Sequence, residues 1–396
     1  MYSINNIGRL HLELTSRCNA SCPACSRNLA GGPVSPNLEI TELTIDDIKN
    51  FFPKKFAENI IGINFCGNVG DPGMALDLLP ILEYFQSSAK KYIAQQVRTN
   101  GGMRNPEHWK EVGKFFASLP REKHLTHAFY QPAVVFSVDG LEDTNHIYRR
   151  GVKWDRLLAN MEAYASTGAF GIWEYLVFEH NQHQVEEARK LAEKLGFHFA
   201  EKRPMGFGEY QGKQQPMNVY KRDGTYDYAI YPVDFTGERS TIPEGYKIDF
   251  TQDMVAPTPE LTEFSKNLAK TSGITCKSLE QHVQEIYVSA TGHLLPCCFL
   301  GGVFGQFSST YSRWQFNKKV QEMGKDKLDL RKNSIYEILM GPYFGPFFLE
   351  GWKTKTVEEG RLLYCVEMCG SISAIDKLYV SKSVDKKLIK INKSQE

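Results

Sequence analysis

Three closely spaced cysteines, Cys18, Cys22 and Cys25, constrain this chain more than any other feature. They follow the spacing C-x3-C-x2-C directly after an apolar run that has the pattern of a first strand. A loop of this length lets three thiolates converge on adjacent corners of one iron–sulfur cubane, which needs four ligands. Three cysteines leave one iron open to an outside ligand, as a catalytic zinc keeps an open position. The alternatives are chance and a structural zinc site, for which His11 is the only fourth ligand nearby in sequence.

The nine cysteines of the 396-residue chain indicate metal or redox chemistry rather than a disulfide framework. Their number is odd, and the amino-terminal residues lack the apolar segment of a secretory signal. Lys and Arg number 47 against 46 Asp and Glu, which argues against a dedicated nucleic-acid-binding protein. No stretch approaches the roughly 18 uninterrupted apolar residues of a spanning helix. We therefore predict a cytoplasmic protein with neither nucleic acid nor membrane as a partner.

Short β-rich runs alternate with helical stretches over the first two hundred residues. The predicted strands are Arg9–Thr15, Ile60–Cys66, Ile93–Thr99, Ala133–Asp139, Gly171–Phe178 and Phe197–Lys202. The predicted helices between them are Thr44–Phe52, Ala75–Lys91, Pro106–Ser118, Trp154–Thr167 and Gln182–Leu195. Thr44 is a candidate N-cap, and Gly196 is a candidate stop signal. Such repeats predict parallel strands with right-handed crossovers, and the pattern alone allows both a doubly wound sheet and an open partial barrel.

The cysteine motif after the first strand resembles the signature of the radical S-adenosylmethionine (radical SAM) superfamily. The resemblance implies an α/β fold with a partial (β/α)6 TIM-like barrel, in which Cys18, Cys22 and Cys25 hold a [4Fe-4S] cluster. It implies that SAM chelates the open iron through its amino and carboxylate groups. An electron from the reduced cluster then cleaves SAM to a 5′-deoxyadenosyl radical, while protein residues hold the cofactors. A reducing partner such as flavodoxin or ferredoxin supplies that electron.

A glycine-rich turn follows the second predicted strand. The segment Gly67-Asn68-Val69-Gly70-Asp71-Pro72 is similar to the Gly-Gly-Glu-Pro turn of the family, whose backbone meets the SAM amino group. The resemblance places Gly67, Asn68 and Asp71 at SAM, with the Asp71 carboxylate as an acceptor for an ammonium. The turn departs from the family pattern because Asn68 replaces the second glycine and two residues are inserted after it.

The third and fourth predicted strands end in further polar turns. Asn100 lies in Thr-Asn-Gly, a sequence often seen there in the family, and Ser137 and Asp139 carry groups that suit the ribose or methionyl part of SAM. Arg149 lies in Tyr-Arg-Arg-Gly, which resembles an element whose arginine pairs with the SAM carboxylate. Each of these sequences is also common in ordinary turns that have no binding role. Because parallel strand ends meet at one rim, their shared location nevertheless predicts a site.

Five more cysteines lie late in the chain: Cys276, Cys297, Cys298, Cys365 and Cys369. The pattern C-x15-G-x4-C, which ends at Cys297, resembles the opening motif of SPASM and Twitch auxiliary-cluster domains. A full SPASM domain has seven cysteines, so five favour the shorter Twitch form with one auxiliary [4Fe-4S] cluster. A predicted hairpin turn at Thr291-Gly292 returns Cys297 toward Cys276.

We assign four ligands to the auxiliary cluster: Cys276, Cys297, Cys365 and Cys369. Cys298 is either a packed thiol or a replacement for one of these ligands. Cys66 is most simply a buried strand residue, since free cysteine behaves as a small hydrophobe. The alternatives for this set are a zinc site and reduced core thiols.

The sequence divides into four predicted parts. The radical SAM partial barrel covers 1–205, and a Tyr/Pro-rich connector without clear periodicity covers 206–272. A small α+β Twitch/SPASM-like domain, with a strand at Glu285–Ala290, covers 273–375, and a Lys-rich tail covers 376–396. The connector is too long and too aromatic for a simple linker, so we expect it to pack on a neighbour or fold over a site.

Three functions are compatible with these motifs. The first is peptide or protein modification, although the early start of the barrel leaves no room for an amino-terminal peptide-recognition domain. The second is a small-molecule radical dehydrogenase or mutase, and the third is a non-enzymatic iron–sulfur or zinc protein. Candidate substrate-facing groups at the barrel rim are Glu174, Tyr175, Glu179, His180 and Asn181. None of them can be assigned as a general base from sequence.

Overall fold

Twelve strands are present in the part of the chain that the computed structural model describes. These residues are 4–121, 131–204, 207, 209–210, 213–250, 269–278, 283–305 and 311–371. The strands are β1 (Ile7–Leu12), β2 (Gly62–Phe65), β3 (Ala94–Thr99), β4 (Ala133–Ser137), β5 (Gly171–Leu176), β6 (His198–Lys202), β7 (Glu209–Tyr210), β8 (Lys213–Gln214), β9 (Met217–Tyr220), β10 (Tyr226–Ile230), β11 (Gln284–Val288) and β12 (Leu294–Leu295).

The main sheet has the strand order β12-β11-β1-β2-β3-β4-β5-β6. Strands β1 to β6 are neighbours in chain order and are all parallel. A doubly wound sheet reverses its strand order at a switch point, and these six strands do not. The predicted α/β partial barrel is therefore confirmed, and the doubly wound alternative is wrong.

Helices alternate with the strands along much of the chain. They are α1 (Ile45–Phe51), α2 (Lys54–Ala57), α3 (Leu78–Ser88), α4 (Pro106–Ser118), α5 (Asn145–Tyr148), α6 (Trp154–Ala165), α7 (Val185–Lys194), α8 (Cys298–Gly301), α9 (Tyr311–Met323), α10 (Ile335–Met340), α11 (Gly351–Lys353) and α12 (Leu363–Cys369), with a π-helix at Tyr343–Glu350 before α11. Thr44 caps α1 through a reciprocal pair of hydrogen bonds with Asp47, and Gly196 follows α7 with φ of 72°, as predicted. Among the described residues, no helix has the length and apolar character needed to cross a bilayer.

Aromatic packing fixes β4 against its covering helices. The Phe136 ring centroid lies 5.6 Å from that of Trp109 on α4 and 5.5 Å from that of Tyr164 on α6. The indole of Trp173 on β5 donates a hydrogen bond of 2.9 Å to the Val138 carbonyl, just beyond the end of β4. Dense packing of this kind resists displacement, so the strand end that carries Ser137 and Asp139 has a defined position.

The connector contains two short antiparallel hairpins, β7–β8 and β9–β10, where the sequence suggested no regular structure. The Tyr228 hydroxyl donates to the Ile147 carbonyl at 2.6 Å, and Asp227 forms an ion pair with Arg150 at 3.0 Å. These contacts attach β10 to the segment around α5. Residues 206, 208, 211–212 and 251–268 of the predicted connector lie outside the described residues.

The predicted hairpin around Thr291-Gly292 is present, with Gly292 at φ of 81°. Its first strand, β11, pairs in parallel with β1, so that Leu12 lies opposite Val288. The main sheet therefore continues across the predicted domain boundary at residue 273. A sequence pattern that marks a strand does not reveal its distant partner, and β11 covers an edge of β1 that would otherwise be unpaired. The predicted tail at 376–396 lies outside the described residues.

His11 makes the stability of this fold sensitive to acid. Burial lowers the pKa of His11 to about 4, and its Nε2 donates to the Cys66 carbonyl at 2.9 Å. Because the pKa is about 6.5 in an unfolded chain, the unfolded state binds a proton first as the pH falls. We expect the free energy of unfolding to drop between pH 6.5 and pH 4, with His11 contributing up to about 3 kcal/mol.

Urea denaturation at several pH values, under reducing conditions, measures this effect. His11→Gln retains an N–H donor but does not titrate, so its stability should fall less steeply over the same range. His293→Gln should flatten the slope in the same way, because burial also lowers the pKa of His293 to about 4. Identical pH slopes for the wild type and His11→Gln would contradict the assignment.

Candidate active site

The three cysteines of the first motif lie in a loop that follows β1 and is fixed at several points. Cys22 is buried, whereas Cys18 and Cys25 are partly exposed. The Cys25 amide donates to the Cys22 carbonyl at 3.0 Å, which closes a turn between these two residues. The buried Arg27 guanidinium donates to the Val69 carbonyl at 3.2 Å and also to the Ser16 carbonyl. The loop is therefore attached to the turn that follows β2.

Each of the three sulfurs meets a group from the segment that follows a different strand. The Cys18 Sγ accepts from Asn100 Nδ2 at 3.6 Å, after β3. The Cys22 Sγ accepts from Arg149 Nη1 at 3.8 Å, beyond the end of β4. The Cys25 Sγ lies 3.5 Å from the carbonyl oxygen of Asn68, after β2. The structure thus brings three predicted SAM-binding residues to three predicted iron ligands.

Burial makes the charged thiolate form of these three cysteines unfavourable. Burial raises the pKa of all three, and for Cys25 the nearby Cys22 raises it further, to about 12. Positive iron offsets such costs, because metal binding takes deprotonated thiolates. No three His, Cys, Asp or Glu side chains in the described part of the chain converge as they would on one ion. A cubane instead holds its cysteines at separate corners.

Two glycines allow the turn after β2 to pack against the cysteine loop. A Cβ at Gly67 would lie 2.1 Å from the Gly70 carbonyl oxygen, and a Cβ at Gly70 would lie 1.6 Å from that of Thr15. Real Cβ atoms do not approach so closely, so both positions require glycine. Gly67 thus allows the backbone of the turn to fold closely on itself. Its contact with SAM stays a prediction.

Glu13 holds this turn in place and was not identified from the sequence. Its carboxylate accepts from the Val69 amide at 2.7 Å and the Gly70 amide at 3.0 Å, and also from the Tyr287 hydroxyl on β11. Burial raises the pKa of Glu13, although these hydrogen bonds oppose the rise. Its position in the sequence could have identified it: Glu13 comes two residues after His11 at the end of an apolar strand. Side chains alternate along a strand, so both point to the same face.

Asp71 has its carboxylate engaged by the protein. It accepts from the Thr99 hydroxyl and the Asn100 amide, both at 2.8 Å, and from the Gly73 amide at 2.9 Å. These bonds fix the end of β3 and orient Asn100 toward Cys18. The structure gives Asp71 a supporting position, and its contact with an ammonium stays a prediction.

Asp139 likewise supports a neighbour. It is fully buried, and it accepts from the Leu176 amide at 2.7 Å and from Arg149 Nε at 2.6 Å. Burial alone would lower the pKa of Arg149, but the adjacent Asp139 raises it, so the guanidinium is charged. Ser137 is partly exposed at the last position of β4. Contacts of Ser137, Asp139 and Arg149 with SAM stay predictions.

The five predicted substrate-facing residues divide into three groups. Tyr175 and Asn181 are fully buried and bond to backbone, so their assignment as substrate-facing was wrong. Glu174 pairs with Arg98 and Lys202, which outweigh burial and lower its pKa. Glu179, which pairs with Arg239, and His180 line a cavity of about 410 Å³ beside α5 and β10.

The second cysteine set also comes together. Burial raises the pKa of Cys297, with further contributions from Cys298, Cys365 and Cys276, and Cys365 is coupled in the same way to Cys276 and Cys369. The Thr275 amide donates to the Cys369 carbonyl at 3.1 Å, which brings the two segments into register.

Cys298 lies near two groups outside this set. Burial raises its pKa to about 12, and the next contributions come from Glu285 and Cys66. Cys298 also raises the pKa of Cys297, so it lies near that cysteine as well. Cluster binding by the four assigned cysteines stays a prediction.

The Glu13 contacts predict a large loss of stability on truncation. Glu13→Ala leaves two amides and a tyrosine hydroxyl without their acceptor, so we expect the free energy of unfolding to fall by about 3 kcal/mol. Glu13→Gln keeps an acceptor for both amides and should cost about 1 kcal/mol. Urea denaturation of the three proteins measures the difference. Equal stability of the alanine variant and the wild type would contradict the assignment.

No family model matches the chain, and no curated protein matches it. Solved structures that are similar include Streptococcus suis SuiB bound to S-adenosylmethionine, at 16% identity and a TM-score of 0.44, covering 75% of this chain and 61% of SuiB. SuiB bound to precursor peptide SuiA has 14% identity and a TM-score of 0.45, with coverages of 76% and 61%. Native anSMEcpe with bound AdoMet has 14% identity and a TM-score of 0.43, with coverages of 84% and 80%. The chain spans about three-fifths of the length of SuiB.

Proposed function

We propose that this chain is a radical SAM enzyme. The observation that carries the proposal is the contact of each sulfur in C-x3-C-x2-C with a segment that follows a different strand, through Asn68, Asn100 and Arg149. A structural zinc site or a simple electron carrier requires thiolates but no surrounding set of amide and guanidinium groups. SAM carries a carboxylate and an ammonium group, and it would bind at the open iron of the cluster. An arginine is suited to bind the carboxylate, and backbone carbonyls are suited to accept hydrogen bonds from the ammonium.

The protein residues have distinct tasks in this proposal. A [4Fe-4S] cluster held by Cys18, Cys22 and Cys25, with bound SAM, supplies the 5′-deoxyadenosyl radical that abstracts hydrogen from a substrate. Arg149, oriented by Asp139, binds the SAM carboxylate. The turn that Glu13 fixes presents backbone atoms to the amino group. Precise placement of this kind is what the protein contributes to cofactor chemistry.

We further propose a second [4Fe-4S] cluster, bound by Cys276, Cys297, Cys365 and Cys369. Peptide or protein modification is the reaction that the resemblance to auxiliary-cluster domains supports. A small-molecule radical dehydrogenase or mutase is the second candidate. It is favoured by the charged group inside the barrel, where Glu174 pairs with Arg98 at 2.5 Å and also with Lys202. Such a group suits a small charged substrate.

Iron content and SAM cleavage test both clusters. Protein reconstituted without oxygen should bind about eight irons and, when reduced, release 5′-deoxyadenosine from SAM. Cys22→Ala should bind about four irons and abolish cleavage, because it removes a ligand of the open cluster. Cys365→Ala should also bind about four irons but retain the cleavage of SAM.

The matched controls are Cys66→Ser and Cys298→Ser, which should keep the full iron content and cleavage. A wild-type content of about four irons would contradict the auxiliary cluster. Absence of SAM cleavage in fully loaded protein would contradict the proposed enzyme.

The substrate class can be determined by mass spectrometry. The reduced protein is incubated with SAM and cell extract in deuterated water, and new masses are sought among peptides and among small metabolites. We expect SAM-dependent products among the peptides. Products confined to small metabolites would favour the second candidate, and Cys22→Ala is the control that should form neither.

A further inference from the structure

We infer that Asn68 couples the two cysteine sites, so that the state of the auxiliary site alters the cluster held by the first motif. The inference rests on the proposed function, since it requires both clusters. Asn68 is partly exposed in the turn after β2, and it contacts a predicted ligand of one site and the neighbour of a predicted ligand of the other.

The main chain of Asn68 faces the first site. Its carbonyl oxygen lies 3.5 Å from Cys25 Sγ and accepts from Ser26 Oγ at 3.3 Å. A cysteine that ligates iron has no proton to donate, so the negative end of this peptide dipole would then face a thiolate. The reduction potential of an iron–sulfur cluster depends on hydrogen bonds and dipoles at its sulfurs. The orientation of this one peptide therefore affects how readily the first cluster accepts an electron.

The side chain of Asn68 faces the second site. Its Nδ2 donates to the Cys298 carbonyl at 2.8 Å. Cys298 begins α8 and directly follows Cys297, an assigned auxiliary ligand. Gly302, at the end of α8, also packs on Asn68, because a Cβ there would lie 3.5 Å from the Asn68 Cγ. A displacement of the Cys298–Phe299 peptide, at the start of α8, is thus transmitted directly to Asn68.

The turn around Asn68 is rigid enough to transmit that displacement. Gly67 and Gly70 pack without room for a side chain, and Glu13 fixes the two amides that follow Asn68. Rigid, closely packed segments convey strain between sites rather than absorbing it. Coupling of this kind is reciprocal, so each site influences the other by the same free energy.

The link is particular to this sequence. The radical SAM turn that it resembles has glycine at the position of Asn68, and glycine would preserve the backbone carbonyl but not the bond to Cys298. The asparagine is therefore explained by its contact with the auxiliary region rather than by the SAM amino group alone. It acts as a positioning residue between the two sites.

A double-mutant cycle tests the inference. Four anaerobically reconstituted proteins are compared: the wild type, Asn68→Ala, Cys365→Ala and the double variant. The readouts are the EPR spectrum and the midpoint potential of the first cluster, measured by titration with a low-potential chemical reductant. We expect Cys365→Ala to shift both readouts when Asn68 is present. In the Asn68→Ala background the shift should be lost.

Asn317→Ala is the matched control, because Asn317 also donates its amide to a backbone carbonyl of this region, that of Val303, at 2.8 Å. This control should retain the shift caused by Cys365→Ala. Asn68→Gly is a second variant that keeps the backbone path of the turn, and it should lose the shift as Asn68→Ala does.

An equal shift with and without Asn68, or no shift in the wild-type background, would overturn the inference while leaving the proposed function intact. If the first motif binds no iron, or if the loaded protein does not cleave SAM, the proposed function fails and the inference fails with it. The iron content and the amount of 5′-deoxyadenosine therefore distinguish the two failures.

Discussion

The parallel pairing of β1 with a strand on each side is the constraint on which the site depends. On one side, β2 delivers the turn that contains Asn68, and on the other, β11 delivers Tyr287. The cysteine loop leaves the sheet between them. Because parallel strands end at the same rim, the loop meets polar groups from several strands without any long insertion. A strand order with a reversal would have separated these groups.

Buried carboxylates hold the segments of this rim together through hydrogen bonds. Glu13, Asp71 and Asp139 follow three different strands, and each accepts hydrogen bonds from backbone amides of another segment. Burial opposes the charge on all three, and the hydrogen bonds offset part of that cost. Each carboxylate thereby fixes the position of a neighbour, such as Arg149, that faces the thiols. The residues that face the thiols are therefore held in place by carboxylates that do not face the thiols themselves.

Sequence periodicity predicted the six barrel strands to within about three residues, because alternation and turn residues are local properties. The motif spacing also identified which residues reach the rim. The motif spacing did not identify which of these residues face the thiols and which bond to the backbone. Asp71 and Asp139 were predicted to contact SAM, but their carboxylates accept hydrogen bonds from backbone amides. Glu13 was missed for the same reason, since its tyrosine partner lies 274 positions away in the chain. The place of β11 in the sheet likewise depends on a distant partner.

The pairing of β11 with β1 also affects the order in which the protein assembles. A chain grows from its amino terminus, so the strand before the cysteine motif is made early and its second neighbour late. Until residue 288 has been synthesised, one edge of β1 lacks its partner, and Glu13 lacks the Tyr287 hydroxyl. The rim of the first motif is therefore completed only when most of the polypeptide exists. If the first motif holds the proposed cluster, iron delivered to a nascent chain would meet an unfinished pocket, and loading would be a late step in maturation.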